Sequence, residues 1–538
     1  GIIRRFTSRS TSTVQITMGL LLIVLFAVVI SGGTCKKILI LQPVYAGSHE
    51  YSLSIMAEHL NDRGHDVTLY RYSNIFKPDF ESDKLTVRNL RVNMSQYNHP
   101  YFTEEGVASP PINLLWTLDS NFLNCQFEML TILDVHCGTM LDTPSLLATL
   151  HRERYDLAIV DLLWNECSLA ITHKLKIPTI GVWFMPPVAG PAVFQGIQEL
   201  PSSVPMLMSG LPGKMNFWER VKNFIVYLQY RFIFEGYLWC SNFYLHKYSP
   251  DSPRVQTLLA NVSLLFTNNH VSVAHARPST ANVIPLGCLT CKPSKPLTGV
   301  FKRFTNSSED VILVSFGMTG FNSSAVPKYM VNVLREVFSK LDYKFIVKFD
   351  PNHFEGLNNV LAVDFLPQLD ILGHHRTVLF ISHCGINSVM ESIYKKVPLL
   401  CVPIFLDQGD NAARVKEIGA GEYLNKKKLS HHTLKAKIEH MLTPGHYIRY
   451  KSRLERLLSI WNDEPMSAGQ KVVHWAEMVM KYGDLSYMKM GNATLNVFQY
   501  YSLDVIAFLI AFTVILIYAA KKLWVIPSYF YEKKSKVE

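Results

Sequence analysis

The sequence predicts an α/β protein built from two doubly wound parts and closed by one C-terminal helix that spans a membrane. Three observations carry this prediction. Lys37–Tyr70 reads strand, loop, helix, strand; a second series of apolar strands begins at Asp310; and Val505–Ala520 is apolar except for Thr513. Strands alternating with helices build parallel sheets. Tyr500 and Tyr501 before the last apolar run, and Lys521 and Lys522 after it, are the aromatic and basic flanks of a membrane span.

At 538 residues the chain accommodates two domains with appendages. With 48% hydrophobic and 18% charged residues it is more apolar than an average soluble chain, as membrane segments would make it. The net charge of +10 does not read as nucleic-acid binding. Within the globular part no Lys/Arg stripe is interleaved with aromatics, and several lysines sit in the final tail.

Residues 1–34 read as an N-terminal extension and a signal peptide: Met18–Gly33 is an apolar run followed by small residues near Thr34 and Cys35. The alternative is a first membrane anchor, for which this core is short. Residues 35–290 form the expected first domain. Lys37–Pro43 is a buried strand; Ala46-Gly47-Ser48-His49 leads into a helix with apolar Leu53, Met56, Ala57 and Leu60 on one face, and Gly64 ends it. His65–Tyr70, Tyr155–Val160 and Ile177–Trp183 are the next strands. Leu200–Tyr248 is crowded with aromatics, among them Phe217, Trp218, Phe224, Tyr227, Tyr230, Phe232, Phe234, Tyr237 and Trp239. Such a segment lines an apolar pocket, rests on a membrane surface, or packs in a core.

Residues 291–308 make the linker, rich in Pro and Lys at Cys291–Leu297, and residues 309–480 the second domain. Its strands are Asp310–Phe316, Tyr343–Phe349, Val360–Phe365, Val378–Ser382 and Leu399–Val402. A juxtamembrane segment (481–502), the transmembrane helix (503–522) and a cytosolic tail (523–538) follow, the basic side marking the cytosol. With a signal peptide this is a single-pass type I topology. Lys534 and Lys536 have the spacing of a dilysine endoplasmic-reticulum retrieval signal, or form a plain basic tail. Asn93, Asn261, Asn306, Asn322 and Asn492 begin Asn-x-Ser/Thr sequons, suiting lumenal exposure. The nine cysteines are dispersed; Cys288 and Cys291 form a lone CxxC with no second pair, so no metal is expected and a structural disulfide is open.

Phe365–Asn411, FLPQLDILGHHRTVLFISHCGINSVMESIYKKVPLLCVPIFLDQGDN, is the most informative stretch. An apolar strand runs into a His-Cys-Gly turn and a helix, whose first N–H groups face an anion. A second strand ends at Pro403 ahead of Asp407-Gln408, side chains of the kind that hold sugar hydroxyls. The stretch resembles the signature of the UDP-glycosyltransferases, which include the UDP-glucuronosyltransferases. PSSVPMLMSGLPGKMNFWERVKNF, before position 225, resembles the same family independently.

The resemblance implies the GT-B fold, two Rossmann-like domains facing one cleft, and inverting transfer of a sugar from UDP-glucuronate or UDP-glucose to a hydroxyl of a small lipophilic acceptor. It implies no cofactor, the UDP-sugar being a co-substrate, an endoplasmic-reticulum membrane location with lumenal domains, and homo- or hetero-oligomers. The competing class is a non-catalytic member that binds UDP-sugar or acts through hetero-oligomers.

Glycosyl transfer needs a base facing an anion cradle. His49, beyond the first strand, is the candidate base, histidine being a side chain that can take up a proton near neutral pH. Asp161, ending YDLAIVD, is its candidate partner, matching the family's Asp; Asp156 belongs at the opposite edge. On the donor side, His383, Cys384 and Gly385 would meet the diphosphate with Asn387 and Ser388 in the first helical turn. By resemblance Glu391 takes the ribose hydroxyls, Gln368 reads uracil, Phe365 stacks on it, and Asp407 and Gln408 take the sugar. Three positions depart from the family. Phe365 replaces Trp; Cys384 replaces Gly, which a backbone–phosphate contact tolerates with a negative φ; and Met318 replaces a small hydroxyl residue, leaving Thr319 or the loop backbone to cover for it. Asn268 stands where vertebrate glucuronosyltransferases carry an Arg suited to a glucuronate carboxylate, which leaves a neutral hexose in competition.

Overall fold

The computed structural model describes residues 35–43, 47–73, 82–91, 102–103, 106–107, 133–188, 190–317, 326–483, 485–491 and 495–534. The signal segment, Met318, Thr319, Lys536 and the sequons at Asn93, Asn322 and Asn492 lie outside them. Asn261 and Asn306 are exposed at helix ends.

The first sheet contains β1 (Lys37–Leu41), β2 (Asp66–Ser73), β3 (Thr86–Arg91), β4 (Leu157–Asp161), β5 (Thr179–Trp183), β6 (Leu264–Thr267) and β7 (Val283–Pro285). All pairings are parallel, in the order β3-β2-β1-β4-β5-β6-β7. LAIVD and TIGVW are buried at every position, because helices cover both faces of such a sheet and leave no side for polar residues. Helix α1 (Gly47–Asp62) connects β1 to β2 and buries Leu53, Met56, Ala57 and Leu60, the face that the spacing predicts. It starts at Gly47, so His49 lies in its first turn. Helix α2 (Glu166–Lys174) follows β4, and α3 (Phe217–Tyr248) is 32 residues long, capped by Asn216 and Glu219.

The second sheet contains β8 (Val311–Ser315), β9 (Lys344–Lys348), β10 (Val360–Val363), β11 (Thr377–Ser382), β12 (Leu399–Cys401) and β13 (Gly421–Tyr423). Its order, β10-β9-β8-β11-β12-β13, repeats the plan of the first, again in parallel. Phe338, Phe345, Phe349 and Phe380 are fully buried there, each worth about 1.5–3 kcal/mol of apolar burial. Helices α4 (Ile386–Tyr394) and α5 (Gln408–Glu417) follow β11 and β12.

Helix α6 (Ala468–Tyr482) crosses back. Its Val472, Ala476 and Val479 join Ile38, Leu53 and Met56 in the first core, although the chain order groups them with the second sheet. Three-four spacing marks a buried face without saying which sheet it covers. The last helix, α7 (Leu503–Lys534), holds an exposed span at Leu503–Leu523 with hydropathy 2.5. At 21 residues it covers about 31 Å, enough for a bilayer core of about 30 Å, and the helix continues past the expected boundary at 522.

The aromatic segment divides by face. Tyr227, Tyr230, Phe234, Tyr237 and Leu245 of α3 pack inward. Trp218, Ile225, Leu228, Phe232, Trp239 and Phe243, three, four or seven residues apart, are exposed along the opposite side. Tyr227 and Tyr501 share a hydrogen bond of 2.5 Å, tying α3 to the start of the apolar C-terminal helix.

The two sheets are latched together. Asp410 on α5 accepts from the amides of Met208 (2.6 Å) and Gly210 (2.7 Å), and Arg414 donates to the carbonyls of Val273 and Ala274. Asp410→Ala leaves the two amides without their acceptor, a loss of roughly 1–3 kcal/mol. The expected result is a lower Tm and faster limited proteolysis between residues 203 and 215, with Asp410→Asn less affected.

Candidate active site

In both sheets the strand order reverses beside the first strand, and at that reversal the loops beyond the carboxyl ends part to leave a crevice. His49 emerges beyond β1 and Asp161 ends β4, so the two meet at the reversal in the first sheet. His49 Nδ1 lies 2.8 Å from Asp161 Oδ2. Asp161 is fully buried, and its Oδ1 accepts from the Leu163 amide at 2.9 Å. The carboxylate therefore has both oxygens engaged and cannot swing away. Phe184 lies against the imidazole, ring centroids 4.5 Å apart. Asp156 accepts from Lys36 and the Lys37 amide at the opposite sheet edge.

The reversal in the second sheet holds His383 after β11 and Gly317 after β8. A Cβ at Gly317, where φ is +94°, or at Gly385, would stand 2.6 Å from His383 Nε2. The imidazole is thus clamped between two glycines. Burial pulls its pKa down to about 4, with a smaller contribution from the nearby Lys348 charge, so the ring is neutral at pH 7. Lys348 Nζ donates to the Gly317 carbonyl at 2.9 Å, putting a cation beside this turn.

Cys384 has φ +62°, contrary to the expected negative value. Its side chain is bonded to Cys401 at the end of β12, and Asn411 donates to its carbonyl at 3.0 Å; these two ties hold the left-handed turn. Its amide donates to Ser382 Oγ at 3.1 Å, so the N–H groups without intrahelical acceptors are those from Gly385 onward, at the start of α4.

Glu391, Gln368 and Ser388 form one cluster. Gln368 Nε2 donates to Glu391 Oε2 (2.7 Å) and Ser388 Oγ (3.3 Å), and Thr290 donates to Glu391 Oε1 (2.6 Å). Burial raises the Glu391 pKa, which these donors partly offset. Phe365, 76% exposed, presents an open ring face near them in sequence. Asn387, one turn before Glu391, points instead toward the first domain: it donates to Ser52 Oγ (3.4 Å) and accepts from Asn268 (2.8 Å).

Asp407 carries the first site to the second. Burial raises its carboxyl pKa, and the Asn411 Nδ2 donor at 2.8 Å and the charge of His49 across the cleft pull it down. The Gln408 side-chain oxygen accepts from the Ile404 and Phe405 amides, fixing the loop before α5. Lys348 and Thr290 were not singled out in the sequence. A lysine closing the apolar run YKFIVKF was a signal for the first; nothing marked the second. Cys288 and Cys291 form a disulfide, so neither thiol is a metal ligand.

Two Rossmann-like parallel domains with paired sites at their facing edges define a nucleotide-sugar transferase class. The family model described as "UDP-glucoronosyl and UDP-glucosyl transferase" matches residues 36–537, and the chain belongs to that family. It is 30% identical to UDP-glucuronosyltransferase 2B19 of Macaca fascicularis over 517 residues, 93% of this chain and 95% of that one. UDP-glucuronosyltransferase 3A1 of Bos taurus is 29% identical over 485 residues, 87% and 89% of the two chains. Among solved structures, UGT2 of Phytolacca americana, complexed with UDP-2fluoro-glucose and pterostilbene, superposes with a TM-score of 0.56 at 15% identity, covering 84% of this chain and 100% of that one. The glycotransferase of kitacinnamycin gives 0.54 at 16% identity, covering 83% and 98%. The fold is GT-B and the chain is a UDP-glycosyltransferase.

Gly385→Ala pushes a methyl into the His383 ring. Its expected outcome is a folded protein whose affinity for UDP, measured calorimetrically, falls by about tenfold or more, equivalent to roughly 1.4 kcal/mol.

Proposed function

We propose that the chain transfers a hexosyl or glucuronosyl group from a UDP-sugar to a hydroxyl of a small lipophilic acceptor, with inversion and with His49 as general base. The observation that carries this reading is the His49–Asp161 pair at 2.8 Å, facing Asp407 of the donor domain. With Asp161 holding Nδ1–H, Nε2 is the nitrogen that takes the acceptor's proton, and the buried carboxylate stabilises the imidazolium that forms. The acceptor oxygen then bonds to the anomeric carbon as the bond to the β-phosphate oxygen breaks, and UDP leaves with that electron pair. A single displacement inverts the centre.

For the donor, the first-turn N–H groups of α4, neutral His383 and the Lys348 charge suit the diphosphate. Phe365 stacks on uracil, Gln368 reads its edge, and Glu391 takes the ribose by exchanging its bonds to Gln368 and Thr290. Asn387 and Ser388 flank the phosphates, and Asp407 and Gln408 hold the sugar. Asn268, bonded to Asn387, offers an amide where a guanidinium would pair with glucuronate, which favours a neutral hexose.

The disulfides Cys137–Cys167, Cys288–Cys291 and Cys384–Cys401 suit an oxidising lumen, supporting type I insertion in the endoplasmic-reticulum membrane. The exposed apolar side of α3, tied at Tyr227 to Tyr501 just before the span, then rests on the bilayer surface. In nanodiscs of brominated lipid, the part of the tryptophan fluorescence lost in Trp239→Phe is expected to be the strongly quenched part. Equal quenching of the wild type and this variant would place α3 in water.

Incubating membranes carrying the full chain with UDP-glucose, UDP-glucuronate and a phenolic panel tests the reaction. His49→Ala is expected to lower kcat by about 10²–10⁴-fold while UDP binding persists. Asp161→Asn should also lower kcat strongly, through the imidazole's orientation. Unchanged turnover in His49→Ala rules out the base role, and binding of UDP without transfer to any acceptor favours a non-catalytic member.

A further inference from the structure

Beside Asp407 a cavity opens into the first domain, walled by Leu163, Trp183, Met185, Leu207 and Phe234 and the inward face of α3. Its mostly apolar lining suits a lipophilic group. One polar group in its wall has no part in the chemistry above. Glu166, the first residue of α2, lines the cavity and is 3% exposed. Tyr237 Oη donates to its Oε1 at 2.5 Å, while Oε2 has no hydrogen-bond partner among the described residues. No Lys, Arg or His pairs with it among them. Burial raises the carboxyl pKa to about 7, against the Tyr237 bond, which lowers it.

An orphan acceptor oxygen in a buried apolar wall is costly, and a fold that needed only packing would place an aliphatic side chain there. In the ionised state Glu166 accepts only, so the open Oε2 calls for a donor on the ligand; in the protonated state the carboxyl O–H can donate as well. Tyr230 and Tyr237 on α3 and Asp407 across the cavity are the other titratable groups lining it, and none is a cation that would fill the role. The reacting hydroxyl belongs near His49 and Asp407, so a molecule that satisfies Glu166 needs a second donor elsewhere on its frame.

We propose that Glu166 is a specificity-determining residue of the acceptor site, selecting apolar acceptors that carry a second hydrogen-bond donor, a hydroxyl or an amine, besides the hydroxyl that is glycosylated. This rests on reading the cavity as the acceptor pocket of a working transferase. A site with a buried unpaired acceptor discriminates against a ligand lacking the donor far more than an apolar wall discriminates by shape.

The test compares 1-naphthol with its amino- and hydroxymethyl-substituted derivatives, using the full chain in membranes and whichever UDP-sugar gives turnover. The wild type is expected to favour at least one substituted acceptor by about tenfold or more in kcat/KM, mainly through KM. Glu166→Leu should bring that ratio close to one. Glu166→Gln, which keeps a carbonyl oxygen, should retain much of the preference for neutral donors. Tyr237→Phe frees Oε1 and should raise the ratio, so the proposal stays testable if Glu166→Leu does not fold. Transfer with a ratio near one in the wild type, or a ratio unmoved in all three variants, overturns this assignment alone. Absence of transfer to every acceptor by the wild type overturns the transferase reading, and this one with it.

Discussion

Everything in the candidate site depends on the reversal of strand order in two parallel sheets. Where β1 meets β4, the connections beyond the carboxyl ends leave in opposite directions, and the crevice between them is filled by a histidine from the first turn of α1 and a carboxylate from the end of β4. Where β8 meets β11 the same geometry recurs, with Gly317 giving way to His383. Neither pair is close in sequence. Topology brings them together, and the two crevices then need only face one another for the proposed base to oppose the proposed anion cradle.

Holding the crevices face to face falls to side chains outside both sheets. Asp410 and Arg414 on α5 bind backbone of the first domain, Asn387 on α4 reaches Ser52 one turn beyond His49, and Thr290 reaches Glu391. Helix α6, contributed by the last part of the chain, is packed into the first core. The latches at Asn387 and Glu391 are also residues that the proposed reading assigns to the nucleotide. Donor entry would therefore exchange domain-bridging hydrogen bonds for bonds to the ligand, coupling the width of the cleft to its occupancy.

Most of the architecture was legible because buried parallel strands are short, apolar and bounded by Gly or Pro. The strand centres fell within a few residues of expectation, and the His49–Asp161 contact followed from placing both at one sheet edge. What stayed hidden shares one property: it depends on which surfaces meet. The return of α6 and the Thr290–Glu391 bond are both contacts between elements distant in sequence. Hydrophobic periodicity names a face without naming its partner.

Cys384 shows how a local rule can mislead when a covalent tie is not in view. A side chain at φ +62° costs about 1–2 kcal/mol relative to glycine. The bond to Cys401 closes a loop across 17 residues, and such a closure is worth about 3 kcal/mol by restricting the unfolded chain. The Asn411 amide adds a hydrogen bond to the same turn. The two ties outweigh the backbone cost, so the turn keeps the conformation that glycine would take while the Cys384 amide is anchored to Ser382. The cradle proposed for the diphosphate is then set by the next residue, Gly385, where the absence of a Cβ is enforced not by φ but by the imidazole of His383 pressed against it.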